Sequence, residues 1–187
     1  MTHYLDFKKV AESGPQTVSA SIVLTPEDLE RDEIATISPV RVEVGVDEGD
    51  RPREFVVTGS VAFEADLTCS RCIEPYPFAV HSDFTLRYLP RPEGVGGVEG
   101  EEIEIAPEQL DEEYYGEPQV ELRPIVLEQV QLSIPMKPLC EEGCLGLCPT
   151  CGANRNRAEC ECAAEESDHR WDALRGIREQ LAKKKEI

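Results

Sequence analysis

The sequence predicts an α+β protein: an antiparallel β-meander or partial barrel, packed by one or two helices and followed by a C-terminal zinc-knuckle element and a terminal helix. Apolar and polar residues alternate through much of the stretch between residues 40 and 88, which is the pattern of half-buried strands. Short turns interrupt this alternation twice, so adjacent strands should pair antiparallel. Six of the eight cysteines lie between Cys140 and Cys162, at the spacing of metal ligands.

Short elements are predicted before residue 40. Residues 1–11 suit a short edge strand or docking segment, and residues 13–15 (Ser-Gly-Pro) suit a turn. Apolar residues alternate over 18–24, which predicts a strand. Thr25 precedes a proline and two acidic residues, an order typical of a helix N-terminus, so we expect a short helix over about residues 26–32.

The middle of the chain predicts three strands in sequence. Valines at every second position from Val40 to Val46 alternate with polar residues and glycine, and Asp-Glu-Gly-Asp at 47–50 supplies a turn. The alternation resumes from Phe55 to Leu67, stops at Cys69-Ser70-Arg71-Cys72, and continues from Phe78 to Tyr88. These features predict a three-stranded meander with the 69–72 motif at a hairpin tip.

An acidic stretch follows the meander. Residues 91–100 form a proline- and glycine-rich segment, and residues 93–121 contain eleven acidic and no basic residues. We expect a solvated loop with a strand at Ile103 and Ile105, because such charge runs are common in flexible connections. The alternative is a docking surface for a basic partner.

Two further helices are predicted. Apolar residues recur at helical spacing over 120–134, with one proline near the start and another at the end. The predicted buried face of this helix consists of Leu122, Ile125, Val126, Gln129, Val130 and Ser133. A terminal helix is capped by Ser167 or Asp168 and has an apolar stripe formed by Trp171, Leu174, Ile177 and Leu181. The chain thus divides into a β-rich domain at 1–135, a cysteine-rich element at 136–165 and a helix at 166–187.

The most specific motif is Cys148-Pro-Thr-Cys151-Gly152. A C-x2-C step lets two thiolates reach one ion from a tight turn, and a following glycine can adopt the positive φ that such a turn requires. Cys160 and Cys162 can complete the same tetrahedron. These four cysteines predict one zinc site.

The remaining cysteines supply a second set of four. Cys69 and Cys72 form C-x2-C, and Cys140 and Cys144 form C-x3-C, so each pair can bind one metal ion. The competing arrangement is a single zinc within the six-cysteine cluster, with Cys69 and Cys72 left as thiols. A redox C-x2-C is a further alternative, but that motif usually opens a helix, whereas strands are predicted on both sides here.

Composition and charge predict a cytoplasmic protein with a basic partner. The N-terminal residues lack the apolar stretch of a signal peptide, and no segment is long and apolar enough to cross a bilayer. Cytosolic thiols stay reduced, which favours metal ligation over disulfides. The net charge of −19 repels phosphate, so a protein partner is favoured over tight nonspecific RNA binding. No small-molecule substrate and no catalytic constellation are predicted.

The cysteine motifs, in their order, resemble the YceD-type family of large ribosomal RNA subunit accumulation proteins. The resemblance rests on the Cys69-Ser-Arg-Cys72 turn, the helix that ends in Ser133-Ile-Pro, and the run from Leu139 to Cys162. It implies a role in accumulation or processing of 23S ribosomal RNA during ribosome assembly, without enzymatic activity. It also places Cys69 and Cys72 on the family's C-x-R-C element, and Cys148, Cys151, Cys160 and Cys162 on its C-terminal cysteine cluster.

Three hypotheses for function follow. The first is a noncatalytic ribosome-biogenesis factor whose two structural zinc sites stabilise a domain that holds a ribosomal precursor or a basic ribosome-associated protein. The second is a zinc-ribbon module that contacts ribosomal RNA directly through Arg155, Arg157, Arg170, Arg175 and Arg178. The third is a nuclease or RNA-modifying enzyme, which the lack of an acid–base or phosphate-binding set disfavours.

Overall fold

The computed structural model describes residues 3–91 and 112–162. The chain divides into two compact units, Met1–Cys144 and Leu145–Ile187. The elements of the described residues are β1 Tyr4–Asp6, α1 Phe7–Ser13, β2 Gln16–Ile22, α2 Pro26–Leu29, β3 Ile34–Ile37, β4 Val40–Glu48, β5 Phe55–Thr68, β6 Pro75–Pro90, β7 Glu112–Tyr115, β8 Gln119–Glu121 and α3 Leu122–Ser133. The predicted domain boundaries after residues 135 and 165 stay a prediction.

The first unit is built on a six-stranded sheet of mixed but mostly antiparallel pairing. Its strands follow the order β2-β4-β5-β6-β7, and β3 pairs with β5 beside β4. The predicted meander β4–β5–β6 is confirmed, with both pairs antiparallel. Strand β7 pairs parallel to β6, and β1 and β8 form a separate antiparallel pair. The α+β class is therefore confirmed, whereas the partial barrel stays a prediction.

One face of this sheet and the helices enclose the core. Alternate residues of β4 and β5 are buried, as the period of two requires. The predicted buried face of the 120–134 helix is confirmed for α3 at Leu122, Ile125, Val126, Gln129 and Val130, whereas Ser133 is only half-buried. Helix α1 adds Phe7, whose ring stacks on Phe55 at 4.6 Å between centroids and lies edge-on to Tyr115 at 5.0 Å.

The short helix predicted after Thr25 is confirmed as α2. The Thr25 side chain accepts from the N–H of Asp28, and the Asp28 side chain accepts from the N–H of Thr25, which completes a capping box. The helix ends at Leu29, before the predicted residue 32, because Glu30 adopts the left-handed conformation. Arg123 of α3 donates to the Asp28 carboxylate at 2.9 Å and so joins the two helices.

Several elements differ from the prediction. Residues 7–13 are helical because Asp6 caps the segment by accepting from the N–H of Lys9 at 3.1 Å, and this helix was not predicted. Residues 119–121 form β8, so α3 begins two residues later than predicted. Strand β7 also lies within the stretch predicted as loop. The predicted strand at Ile103 and Ile105 and the predicted terminal helix lie outside the described residues.

Among the described residues, none of the helices combines the length and the apolar character that a membrane crossing requires. The cytoplasmic location stays a prediction.

A buried carboxylate joins four strands at one end of the sheet. Glu54, in the turn between β4 and β5, is almost fully buried. It accepts from the Arg51 side chain at 2.8 Å and from Arg87 of β6 at 3.1 Å, and Arg51 also donates to Glu112 of β7 at 2.7 Å. A Cβ at Gly49 would lie 2.5 Å from the Glu54 side chain, so this position requires glycine. The turn extends four residues beyond the predicted 47–50.

The Arg51 side chain and backbone N–H lower the pKa of Glu54 from 4.5 to about 2. A carboxyl group whose pKa is lowered on folding stabilises the fold above its unfolded pKa, and that contribution is lost as the pH falls towards the folded pKa. The ionised Glu54 should therefore stabilise the fold above about pH 4.5 and lose this effect progressively down to about pH 2.

We expect Glu54→Gln to lower the free energy of unfolding at pH 7 by about 1–2 kcal/mol, a modest value because Arg51 and Arg87 are each 47% exposed. The difference between variant and wild type should shrink between pH 4.5 and pH 2. Urea unfolding at a series of pH values measures both effects, and any metal dependence cancels because both proteins contain the same cysteines. A difference that stays constant down to pH 2 would contradict this assignment.

Candidate metal centres

The eight cysteines lie in two groups of four. Cluster A consists of Cys69, Cys72, Cys140 and Cys144, and cluster B consists of Cys148, Cys151, Cys160 and Cys162. In each cluster the four Sγ atoms lie within 4.8 Å of one another. Every sulfur of cluster A belongs to the first compact unit and every sulfur of cluster B to the second. The grouping is the one that the sequence predicted.

The sulfur spacing in cluster A matches the edge of a metal-thiolate tetrahedron. The Sγ atoms of Cys69 and Cys144 are 3.8 Å apart, and so are those of Cys72 and Cys140. Zinc–sulfur bonds of about 2.3 Å in a regular tetrahedron give sulfur–sulfur distances of about 3.8 Å. The cluster can therefore hold a four-coordinate ion without rearrangement of these two pairs.

The same turn begins both clusters. In the turn 69–74, the N–H of Cys69 donates to the carbonyl of Glu74 at 2.9 Å, and the N–H of Ile73 donates to the carbonyl of Cys69 at 2.9 Å. The turn 148–153 repeats both hydrogen bonds, at 2.8 Å and 2.9 Å respectively. The two C-x2-C segments are thus structurally equivalent, although one joins two long strands and the other lies outside the named strands.

The position after the second cysteine has a positive φ in both turns. Gly152 has φ +74° in cluster B, as the sequence predicted, and glycine adopts this conformation without steric cost. Ile73 occupies the equivalent position in cluster A with φ +58°. Backbone N–H groups of each turn therefore point towards the first sulfur, which stabilises its negative charge.

The first cysteine of each turn has a lowered pKa. Burial raises the pKa of Cys69, but backbone N–H groups, led by that of Cys72, outweigh this effect and lower the pKa to about 6. The backbone N–H of Cys151 is the largest of the effects that lower the pKa of Cys148 to about 6. The turn therefore favours ionisation of its first thiol in each cluster.

The second pair of cysteines in each cluster, its second arm, includes a thiol that ionises less readily. Burial raises the pKa of Cys140 to about 12, and the neighbouring Cys151 thiol raises that of Cys162 to about 12. A bound cation would remove these protons, because a metal-bound thiol is deprotonated. Four sulfur donors around one point form the set that zinc and other thiophilic metals prefer. The residues therefore fit a metal ion in both clusters.

Contacts around Arg71 hold the two arms of cluster A together. Its guanidinium Nη1 donates to the carbonyls of Glu142 and Cys144, both at 3.0 Å. The N–H of Ser70 donates to the carbonyl of Pro138 at 2.8 Å. The hairpin tip is thus fastened to the segment that follows α3, which brings the C-x3-C pair to the C-x2-C pair as the sequence predicted.

Asparagines organise the loop between the two arms of cluster B. The Asn156 side chain accepts from the N–H of Leu145 at 2.7 Å, and the Asn154 side chain accepts from the N–H of Asn156 at 3.0 Å. Arg155 N–H donates to the carbonyl of Gly146 at 2.9 Å. These contacts fold the chain back so that Cys160 and Cys162 reach the C-x2-C turn.

The structure brings the predicted cysteines together in the predicted groups. The 69–72 motif lies at the tip between β5 and β6, so strands flank it as expected, which disfavours the redox alternative. All eight cysteines lie in the described residues and none of them forms a disulfide. The role of Arg71 was not predicted, although its position within the C-x2-C turn already placed it beside the sulfurs. That each cysteine binds metal stays a prediction.

Known proteins match most of the chain. Residues 57–178 match the family model described as large ribosomal RNA subunit accumulation protein YceD. The chain is 27% identical over 161 residues to the large ribosomal RNA subunit accumulation protein YCED homolog 1, chloroplastic, of Arabidopsis thaliana, which covers 76% of this chain and 50% of the relative. It is 31% identical over 119 residues to an uncharacterized protein of Mycobacterium bovis, which covers 64% and 53%.

The chain thus spans about half the length of the curated relatives it matches. No solved structure matches the chain.

We expect two tightly bound metal ions per chain, measured by inductively coupled plasma mass spectrometry on protein purified without chelator. Cys72→Ser and Cys151→Ser replace equivalent thiols of clusters A and B, and each should reduce the content to one ion. The single-site arrangement predicts instead one ion in the wild type and no loss in Cys72→Ser. Chelation should unfold the affected unit, because ion binding and folding are coupled.

We expect Arg71→Ala to accelerate metal loss from cluster A about 10- to 100-fold, because residues that position the ligands affect metal affinity by this factor. Transfer of the ion to a chromophoric chelator measures the rate. Thr150→Ala is the matched control, since Thr150 occupies the equivalent position in the turn of cluster B. Equal release rates for both variants and the wild type would show that the Arg71 contacts do not hold the cluster.

Proposed function

The chain belongs to the YceD family of large ribosomal RNA subunit accumulation proteins, and on this premise we propose that it is a noncatalytic ribosome-biogenesis factor that supports accumulation or processing of 23S ribosomal RNA. The family match is the observation that carries this proposal. The matched residues 57–178 include all but the first two residues of the β5–β6 hairpin, together with α3 and all eight cysteines. The family description names the accumulation of an RNA and no reaction.

Zinc is the ion that we propose for both clusters. Four protein sulfurs fill a tetrahedral coordination sphere, so no position stays open for water or substrate. Such a site stabilises a fold and does not activate a nucleophile. Structural zinc of this kind contributes about 10–16 kcal/mol of apparent binding free energy, which is comparable to the stability of a whole domain.

The partner that best fits the surface charge is a ribosomal precursor or a basic ribosome-associated protein in the cytoplasm. The chain has 38 acidic and 19 basic residues. This excess of negative charge opposes binding to bare phosphate groups and favours basic proteins. The protein would then reach ribosomal RNA through proteins already assembled on it.

Direct RNA contact is the second candidate, and one observation favours it. Arg155 and Arg157 are both exposed on the loop of cluster B. The RNA-binding set predicted from the sequence also includes Arg170, Arg175 and Arg178. These three residues lie outside the described residues. Binding through these cations would weaken strongly with added salt, because each phosphate contact releases counterions.

Depletion of the protein from its source organism tests the proposal. We expect the ratio of 23S to 16S ribosomal RNA to fall, large-subunit precursors to accumulate on sucrose gradients, and wild-type protein to restore the ratio. Cys72→Ser should fail to restore it, whereas Lys8→Ala, an exposed change at a surface ion pair, should succeed. Unchanged 23S levels on depletion would exclude the proposed function.

Purified protein and 23S ribosomal RNA fragments distinguish the two candidates. The leading proposal expects weak binding to protein-free RNA at 150 mM salt but retention on precursor large subunits. The alternative expects tight, strongly salt-dependent binding that Arg155→Ala and Arg157→Ala together weaken.

A further inference from the structure

Ile73 combines backbone strain with exposure. Its φ of +58° lies in the left-handed region, which β-branched residues rarely adopt because the branched Cβ crowds the backbone. Its side chain is nevertheless 65% exposed and so gains little from packing within the protein. The other described non-glycine residues with positive φ are Glu30 and Arg53, and neither is branched at Cβ. Ile73 therefore raises the free energy of the folded state at this position without a compensating gain from packing.

Cluster B shows that the turn does not need this side chain. Gly152 occupies the equivalent position, with the same hydrogen bond from its N–H to the first cysteine of the turn. The C-x2-C turn therefore forms with no side chain at all at this point. A residue that strains its backbone without contributing to the turn is a candidate for function outside the fold.

The segment that contacts the Ile73 turn also carries exposed apolar residues. Met136 is 94% exposed and Leu132 is 72% exposed, and both belong to the segment that runs from the end of α3 to Pro138. Pro138 accepts a hydrogen bond from Ser70, within the turn that carries Ile73. Cluster A and this hydrogen bond thus bring the chain segment that follows Met136 beside the turn that carries Ile73.

The charges around the tip favour a basic partner. Glu141 and Glu142, between the two cysteines of the second arm, are both exposed. Within the described segments 69–74 and 134–144, the cations are Lys137 and Arg71, and Arg71 already donates to two backbone carbonyls. The local excess has the same sign as the net charge of −19. An apolar contact with carboxylates in the adjoining segment fits a protein surface with Lys or Arg beside an apolar pocket, and it repels phosphate.

We propose that the tip of the β5–β6 hairpin, with Ile73 as its apolar anchor, docks a basic protein of the large-subunit precursor. This inference rests on the proposed function and specifies the surface and the class of partner. Ile73 fills a pocket on that partner, and this contact is the reason that a branched residue is kept at the turn despite its steric cost. The zinc proposed for cluster A then has a second role, since it fixes the direction in which Ile73 points.

The first test compares Ile73→Gly with Val23→Ala, a change at a β-branched residue of the same 65% exposure elsewhere in the first unit. We expect Ile73→Gly to retain two metal ions and to keep or raise the melting temperature, because glycine relieves the positive-φ strain. Loss of metal or a lower melting temperature would show that Ile73 serves the fold and would overturn the proposal.

The second test measures cosedimentation with purified large-subunit precursors from depleted cells, before and after removal of their proteins. We expect wild-type protein and Val23→Ala to bind intact particles and not the bare RNA. Ile73→Gly should bind intact particles on the order of tenfold more weakly, as for a central apolar anchor. Equal binding by Ile73→Gly, or equal binding to bare RNA, would overturn the proposal.

The third test identifies the occupant. A photoreactive benzoylphenylalanine placed at position 73 should crosslink to a precursor protein of net positive charge. Crosslinks to RNA, to a second copy of this chain, to an acidic protein or to nothing would overturn the inference. The depletion experiment is independent of Ile73, so unchanged 23S levels there reject the proposed function. Lowered 23S levels together with normal binding by Ile73→Gly reject only the docking surface.

Discussion

Convergence of four sulfurs at cluster A is the constraint on which the first unit depends. It joins the tip of the β5–β6 hairpin to the segment that follows α3. The sheet and the helix are therefore linked by a contact between residues that are far apart in sequence. Closing so long a loop costs conformational entropy, and an ion held by four thiolates can offset it. The opposite end of the sheet is held differently, by Glu54 and its two arginines.

The two clusters repeat one turn in different settings. In cluster A, strands β5 and β6 position the turn, and Arg71 fastens the other arm by binding backbone carbonyls. In cluster B, no named strand supports the turn, and asparagine side chains order the loop between the arms. The shared turn directs equivalent backbone N–H groups, those of Cys72 and Cys151, to the first sulfur, which explains why the pKa of Cys69 and that of Cys148 are both lowered. Strands β5 and β6 hold the turn of cluster A on both sides. This support explains why the fold tolerates Ile73, a residue that disfavours positive φ, directly after Cys72.

The sequence predicted those parts of the structure that depend on local pattern. Period-two alternation located β4, β5 and β6, helical spacing located the buried face of α3, and cysteine spacing gave the grouping of both clusters. Elements that depend on distant contacts were missed. Helix α1 is seven residues long and forms because Asp6 caps it and Phe7 packs on Phe55. Strand β7 lies in an acidic segment and pairs parallel to β6, a contact that no local pattern encodes. Burial of Glu54 also depends on Arg87, which is 33 residues away.

The order of the cysteines along the chain has a consequence for biosynthesis. All four sulfurs of cluster A precede all four of cluster B, and each set belongs to one compact unit. A nascent chain emerging from the ribosome therefore completes the donors of the first unit before Cys148 has been exposed. Under the metal assignment proposed above, the four donors of the first unit are therefore complete before the second set is available to compete for an ion.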